Sequence, residues 1–205
     1  MPAYASAVRR PPRTLTDLDR ARVLKTTGEH RHGFRDHVIL SFALGTALRQ
    51  HEIAALDVGD VVTSAGRVRR CIALRVFKRS AAEPAPQDAF LPDGTFYKLT
   101  KFLAWKRSNG ESLAADAPLF LSSRGKRIAT RTLRHMFKVW QIRAGVDRVQ
   151  NFHALRHSAL SDAYHRERDI LVVQRIARHK DVSTTMIYTA PSDQDIMDAV
   201  RDQIC

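Results

Sequence analysis

The sequence has few cysteines and no long apolar run. Its two cysteines, Cys71 and Cys205, are too few for a disulfide framework, which favours a reducing, cytoplasmic location. A membrane-spanning helix is not predicted, because no stretch of about 20 apolar residues occurs. The arginine- and proline-containing start also lacks the hydrophobic stretch of a secretory signal peptide. With 205 residues, 44% of them hydrophobic, and no internal repeat, one domain with a sizeable core is expected.

Acidic residues are scarce relative to basic ones, and the formal net charge is +13. Residues 1–150 contain 27 lysines and arginines against 13 aspartates and glutamates, whereas residues 151–205 contain 7 against 8. A basic surface favours double-stranded DNA, because binding releases counterions condensed on the phosphates. The charge therefore predicts a DNA partner, contacted mainly by the first part of the chain. No acidic cluster suited to Mg²⁺ is evident, so no cofactor is expected.

The last third of the chain carries side chains suited to attack on a phosphodiester. His153 and Arg156 are three residues apart, so a helix capped by Asn151 would project both from one face of its first turn. His179 and Tyr188 follow, nine residues apart. An arginine fork can hold two phosphate oxygens, histidine transfers protons near neutral pH, and tyrosine offers a nucleophilic oxygen. Together these groups predict a DNA strand transferase.

Local patterns predict the elements that surround these groups. Apolar residues at three- and four-residue steps predict a helix over 169–176, and a short helical start at 183–185 precedes the tyrosine. Strand-forming residues at 68–77 and 88–91 enclose a proline-containing turn, which is typical of a hairpin. A mixed α/β fold that is mainly α-helical is expected.

Three segments indicate the function more specifically: TALRQHEIAALDVGDV at 46–61, HALRH at 153–157 and ARHKDVSTTMIYT at 177–189. They resemble the motifs of the tyrosine recombinase (phage integrase) family, and the likeness extends from about residue 15 to about residue 191. The resemblance implies the family's catalytic-domain fold over 14–191, with a small antiparallel β-sheet at one edge. It also implies site-specific DNA cleavage and rejoining through a covalent 3′-phosphotyrosine, without metal or ATP.

The resemblance implies six catalytic residues: Arg49, Lys78, His153, Arg156, His179 and Tyr188. The two arginines would hold the non-bridging oxygens of the scissile phosphate while Tyr188 attacks. His153 is the best candidate for the base, and Lys78 on the hairpin would protonate the leaving 5′ oxygen. His179 would hydrogen-bond the phosphoryl group or position the tyrosine.

Two positions depart from the family pattern. Arg79 follows Lys78 where the family usually has glycine, and the hairpin tip is longer and proline-rich, so Arg75 and Arg79 remain alternatives for the hairpin cation. Arg178 stands before His179 where the family commonly has glycine, which puts a large charge beside the site.

His157 lies four residues after His153 and could complete a two-histidine metal face, but no third ligand is nearby in sequence, so no metal is expected.

Candidate DNA-contacting residues lie in three places. The set is Arg9, Arg10 and Arg13 in a flexible basic arm over 1–13, Arg79 on the hairpin, and Arg131, Arg134 and Lys138 on a helix capped by Thr130. On that helix the apolar side should be core, with Leu133, Met136, Phe137 and Trp140, and the basic side is either a phosphate-binding face or a solvated one. A second amphipathic helix has a basic side that is likewise either a phosphate-binding face or a solvated one, with Lys98, Lys101, Lys106 and Arg107.

Residues 192–205 predict an amphipathic C-terminal helix whose apolar stripe is Ile196, Val200 and Ile204. Its other faces are acidic and do not suit DNA. In the family such a helix is commonly passed to a neighbouring subunit, which implies a homo-oligomer, a tetramer, when assembled on DNA. The alternative is that the helix folds back on its own domain.

Two other functions stay open at this level. A type IB topoisomerase uses similar chemistry but relaxes supercoils without pairing two sites, and a non-catalytic DNA-binding module could share the fold. Family members usually carry a helical DNA-clamping domain before the catalytic one, whereas only about 15 residues precede it here. The chain is expected to be either a fragment of a longer protein or a minimal recombinase.

Overall fold

The structure, a computed structural model, describes residues 13–74, 87–189, 197 and 200–201. Within residues 13–74 and 87–189 it contains eight α-helices, two β-strands and two short 3₁₀ helices. The helices are α1 Asp17–Glu29, α2 Phe34–Thr46, α3 Gln50–Ala55, α4 Val58–Val61, α5 Asp93–Ser108, α6 Thr130–Arg143, α7 His153–Glu167 and α8 Ile170–Ala177. The strands are β1 Cys71–Leu74 and β2 Gln87–Phe90, and the 3₁₀ helices are Val182–Thr184 and Met186–Tyr188.

Helix α2 is the central element of the core. Apart from Ser41, its middle residues are apolar on every side, and Ile39, Leu40 and Phe42 have no exposed surface. A helix that is apolar all round must be enclosed by other elements, and α2 packs against α1, α5 and α7. None of the helices in the described ranges is long and apolar enough to cross a membrane.

The two strands form the predicted small antiparallel sheet. Cys71 pairs with Phe90 and Leu74 with Gln87. Strand β1 begins at Cys71 and not at 68 as predicted, and residues 75–77 of the predicted strand lie outside the described residues. Val68 instead forms an isolated bridge with Val62. The mainly helical α/β fold with a small antiparallel sheet is therefore confirmed.

Several predicted functional positions fall outside the described residues. They are Arg9, Arg10, Arg75, Lys78 and Arg79, together with Ile196 and Ile204 of the tail helix. Arg13 is described and exposed, and so are Met197 and Val200.

Helix α6 has the predicted division between an apolar and a basic side. Leu133, Met136, Phe137 and Trp140 are buried, and Arg131, Arg134 and Lys138 are exposed. The helix is capped by Ala129 and not by Thr130, one residue earlier than predicted.

On α5 the grouping of Lys106 with the surface cations was wrong. Its side chain is fully buried, and Nζ lies 2.6 Å from Glu111 Oε2. The carbonyl oxygen of Pro118, 3.4 Å away, accepts a second hydrogen bond from the same ammonium. A buried charge needs such partners, and this lysine therefore supports the fold and offers nothing to a phosphate.

Two helix ends meet at the start of α7. Ala47 is the C-cap residue of α2 and Arg178 is that of α8, and both residues have the left-handed conformation, with φ of 51° and 56°. Around them lies a small second apolar cluster, formed by Ala47, Leu160, Ala163, Val173, Ala177 and Tyr188. The predicted nucleophile is thus packed against the helices that end at the site.

Candidate active site

Arg156 lies in the first turn of α7 and is almost completely buried. Its guanidinium donates hydrogen bonds to the carbonyl oxygens of Ala47 and Ala177. Both acceptors lie at helix C-termini, where the peptide dipoles favour a positive charge. Burial, together with the charges of Arg49 and Arg178, lowers the pKa of Arg156 to about 10. The group therefore remains protonated at neutral pH and is held in one orientation.

A carboxylate links the other two arginines of the site. The backbone N–H of Arg49 donates to Glu52 Oε2 at 2.6 Å, and the Arg49 guanidinium donates to Oε1 at 3.1 Å. The Arg178 guanidinium also donates to Oε2, at 2.9 Å. Burial alone would raise the pKa of Glu52, but the two arginines and the backbone donor outweigh it, and the pKa lies below its usual value. Glu52 is therefore ionised at neutral pH.

His179 connects Arg156 with the turn that carries the tyrosine. Its Nε2 lies 3.2 Å from the Arg156 guanidinium, and its Nδ1 lies 3.0 Å from Thr185 Oγ1. An arginine can only donate, so Nε2 accepts and Nδ1–H donates to the threonine. Burial and the neighbouring arginines lower the pKa of His179 to about 4. The imidazole is thus neutral at physiological pH, as this pair of hydrogen bonds requires.

Tyr188 points its phenol at a histidine. The phenol oxygen lies 2.9 Å from His157 Nδ1, and the ring of Tyr188 is only 5% exposed. Burial raises the pKa of the phenol, and the charges of Arg156 and Arg49 oppose this only in part. Burial also lowers the pKa of His157 to about 4, helped by His153 and Arg156. A neutral imidazole therefore faces a protonated phenol.

The structure brings five of the six predicted catalytic residues into one cluster, and the sixth, Lys78, is outside the described residues. Within the cluster, burial lowers the pKa of His153, and Arg156 and Arg49 lower it further. The ring of His153 meets that of His157 edge-on, with centroids 4.5 Å apart. The histidine hydrogen-bonded to the phenol is His157, whereas the sequence pattern favoured His153 as the base. The catalytic roles of all six stay predictions.

Sequence reasoning assigned no catalytic or supporting role to three residues that the structure places at the site: Glu52, His157 and the inward-facing Arg178. A signal existed for the first, because a glutamate three residues after a helix cap reaches back to the cap's N–H, and Glu52 stands three after Arg49. A second signal was the spacing of His157, one helical turn beyond His153. Within the described residues, no group of three metal-ligating side chains includes this histidine pair.

Comparison with known proteins gives a consistent result. The sequence model of the phage integrase family matches residues 13–195. Tyrosine recombinase XerC of Herpetosiphon aurantiacus is 30% identical over 182 residues, which are 88% of this chain and 56% of that protein. Tyrosine recombinase XerD of Staphylococcus epidermidis is 29% identical over 165 residues, 80% of this chain and 53% of that one. The chain thus spans about half the length of the curated relatives it matches.

Solved structures agree on the fold. The crystal structure of XerA recombinase superposes with a TM-score of 0.75 at 23% identity, over 94% of this chain and 65% of that one. The catalytic domain of bacteriophage HP1 integrase gives 0.55 at 19% identity, over 93% of this chain and 94% of that one. Because the family match covers most of the sequence and the fold agrees, the chain belongs to the phage integrase family.

Proposed function

We propose that the protein is a site-specific DNA recombinase or integrase that cleaves and rejoins strands through a 3′-phosphotyrosine. One observation carries this proposal above the others: the buried phenol of Tyr188 is hydrogen-bonded to a neutral imidazole and lies within the field of two arginines. A tyrosine that only filled the core would need neither the base nor the cations. Family membership supports the same reaction class.

The arginines supply the phosphate site. Arg49 and Arg156 bind the non-bridging oxygens and offset the charge that grows as the phosphorus becomes five-coordinate. Glu52 and the helix-end carbonyls hold their guanidiniums before DNA arrives. Preorganised donors of this kind are each worth about 2.7–4 kcal/mol at the transition state.

The phenol oxygen forms the new bond. Tyr188 Oη attacks the phosphorus as its proton passes to His157 Nδ1, and the bond from phosphorus to the 5′ oxygen breaks. Lys78 gives the leaving oxygen its proton, so the products are a 3′-phosphotyrosine and a free 5′ hydroxyl. Reversal with a second 5′ hydroxyl rejoins the strand, and the retained ester bond makes ATP or a metal unnecessary.

Double-stranded DNA is the proposed partner. A solved structure with this fold, the Tn1549 transposon integrase, was determined in complex with transposon right end DNA, which supports DNA as the substrate class here. We further propose the organisation read from the sequence: a basic arm over 1–13, a catalytic domain over 14–191, and a tail helix over 192–205 that docks on a neighbouring subunit in a tetramer on DNA. The exposed apolar side chains of Met197 and Val200 support docking.

The deciding experiment compares the wild type with Tyr188→Phe in cells lysed in detergent, so that non-covalent complexes fall apart. DNA covalently bound to the protein is recovered and its ends are sequenced. We expect adducts with clustered ends from the wild type and none from Tyr188→Phe, because the variant lacks the attacking oxygen while its ring still fills the apolar cluster.

The other outcomes separate the alternatives. Adducts with scattered ends would favour a type IB topoisomerase. If neither protein forms adducts although both are folded and bind DNA, the non-catalytic DNA-binding module is favoured. Adducts from Tyr188→Phe equal to those of the wild type would rule out this tyrosine as the nucleophile.

We expect the basic side of α6 to contribute to DNA binding through phosphate contacts. The triple variant Arg131→Gln, Arg134→Gln, Lys138→Gln should bind a duplex more weakly and show a shallower dependence of log K on log salt. If all three contact phosphates, the slope should fall by about 0.9 for each. A matched control is Arg22→Gln with Lys25→Gln, two exposed cations on α1. Equal slopes for the triple variant and the wild type would mean that this side of α6 is simply solvated.

A further inference from the structure

Arg178 is buried at the site, although its position favours a residue without a side chain. It caps α8 in the left-handed conformation, with φ of 56°, a region that glycine adopts without strain. Its side chain is only 4% exposed and points inward to Glu52. A long cationic side chain in a strained, buried position calls for a compensating role.

The contacts of Arg178 centre on one carboxylate. One guanidinium nitrogen donates to Glu52 Oε2 at 2.9 Å, and the other terminal nitrogen donates to the Ile176 carbonyl oxygen at 3.0 Å. Nε is buried and has no hydrogen-bond partner among the described residues. Glu52 is itself only 6% exposed, so its charge must be balanced by its neighbours and not by water.

The second neighbour of Glu52 is Arg49, a proposed phosphate ligand. Its side chain is 31% exposed, and its guanidinium donates to the other oxygen of the same carboxylate, at 3.1 Å. If Arg49 were the only cation beside Glu52, the carboxylate would bind it strongly and compete with an incoming phosphate. With Arg178 present, two arginines bind the one buried carboxylate, and Arg49 retains net positive charge for a ligand.

We propose that Arg178 is a positioning residue that neutralises Glu52 and thereby leaves the Arg49 guanidinium available to the scissile phosphate. The proposal rests on the phosphate-binding role of Arg49 given above. It predicts that loss of Arg178 slows the reaction because the buried charge on Glu52 is no longer balanced. Removing that charge should therefore restore the rate.

The test compares the wild type, Arg178→Gly, Glu52→Gln and the double variant. Glycine fits the backbone at residue 178, and glutamine can still accept the hydrogen bond from the Arg49 backbone. We expect Arg178→Gly to slow adduct formation at saturating DNA by tenfold or more, and the double variant to recover at least half of that loss on a logarithmic scale. Thermal unfolding of all four proteins is measured alongside.

A purely structural role gives a different result. The rate loss of Arg178→Gly would then follow its thermal midpoint, and Glu52→Gln would not restore the rate. That outcome, or a wild-type rate in Arg178→Gly, would overturn the proposal.

Binding of inorganic phosphate to the four proteins gives a second, independent readout. Weaker binding by Arg178→Gly with recovery in the double variant supports the role of Arg178 even if the wild type forms no adducts. In that case only the proposed recombinase function would fail. Unchanged phosphate binding in Arg178→Gly would count against the role of Arg178.

Discussion

Replacing Arg156 with alanine should lower the rate of covalent adduct formation by about 10²–10³-fold, the loss typical when one preorganised donor to a developing anion is removed. The guanidinium is buried, charged at neutral pH, and fixed by two carbonyl oxygens. Among the described arginines of the cluster, Arg49 has its own proposed contact with the phosphate and Arg178 is directed to Glu52, so neither can take the place of Arg156. The rate is measured on a nicked duplex that cannot be rejoined, at DNA concentrations above saturation.

The same substitution should destabilise the protein. The carbonyl oxygens of Ala47 and Ala177 lose their donor, and an unsatisfied buried acceptor costs about 1–3 kcal/mol. Arg156→Lys separates the two effects, since its ammonium keeps the charge and can satisfy a carbonyl but cannot form a two-pronged contact with phosphate. We expect Arg156→Lys to recover much of the stability and little of the rate. A stable Arg156→Ala protein with the wild-type rate would exclude this residue from phosphate binding.

Local sequence signals were sufficient for the elements that carry the site. The helix predicted over 169–176 is observed at Ile170–Ala177, because Asp169 caps it by accepting from the N–H of Leu171. Asn151 accepts from the N–H of Ala154 as expected, although α7 itself begins at His153. These features depend on residues within a few positions of each other, and such patterns can be read from one sequence.

Contacts between residues far apart in the chain could not be predicted from local sequence patterns. The acceptors of Arg156 belong to residues 47 and 177, far away in the chain, and they are backbone atoms without any sequence signature. Likewise, periodicity places His153 and His157 on one face of α7, but the docking of the Met186–Tyr188 turn decides which ring reaches the phenol. The burial of Lys106 depends in the same way on Glu111 in the following loop.

The assignment of the base to His157 makes a prediction about pH. Because burial and its neighbours lower the pKa of His157 to about 4, the imidazole is unprotonated and able to accept a proton above about pH 5. If proton transfer from Tyr188 to His157 limits the wild-type rate, titration of His157 should not lower that rate between about pH 5 and pH 8. In His157→Phe the phenol must ionise alone, and its pKa is raised by burial. Its rate should then rise about tenfold for each pH unit through this range.

At pH 7 the expected loss in His157→Phe is about 10²–10⁴-fold, the range for a missing general base. The quantity to report is the ratio of wild-type to variant rates at each pH, since titrations shared by both proteins cancel in it. His157→Gln keeps a hydrogen-bonding partner for the phenol without basicity, so it distinguishes proton transfer from positioning. His153→Gln, one turn away on the same face, is the matched control. If His157 is the base, the ratio of the wild-type to the His157→Phe rate must fall as pH rises, because the unaided phenol ionises more readily at higher pH. A ratio that stays constant with pH would therefore assign the role of base to His153. A larger loss of rate in His153→Gln than in His157→Phe would do the same.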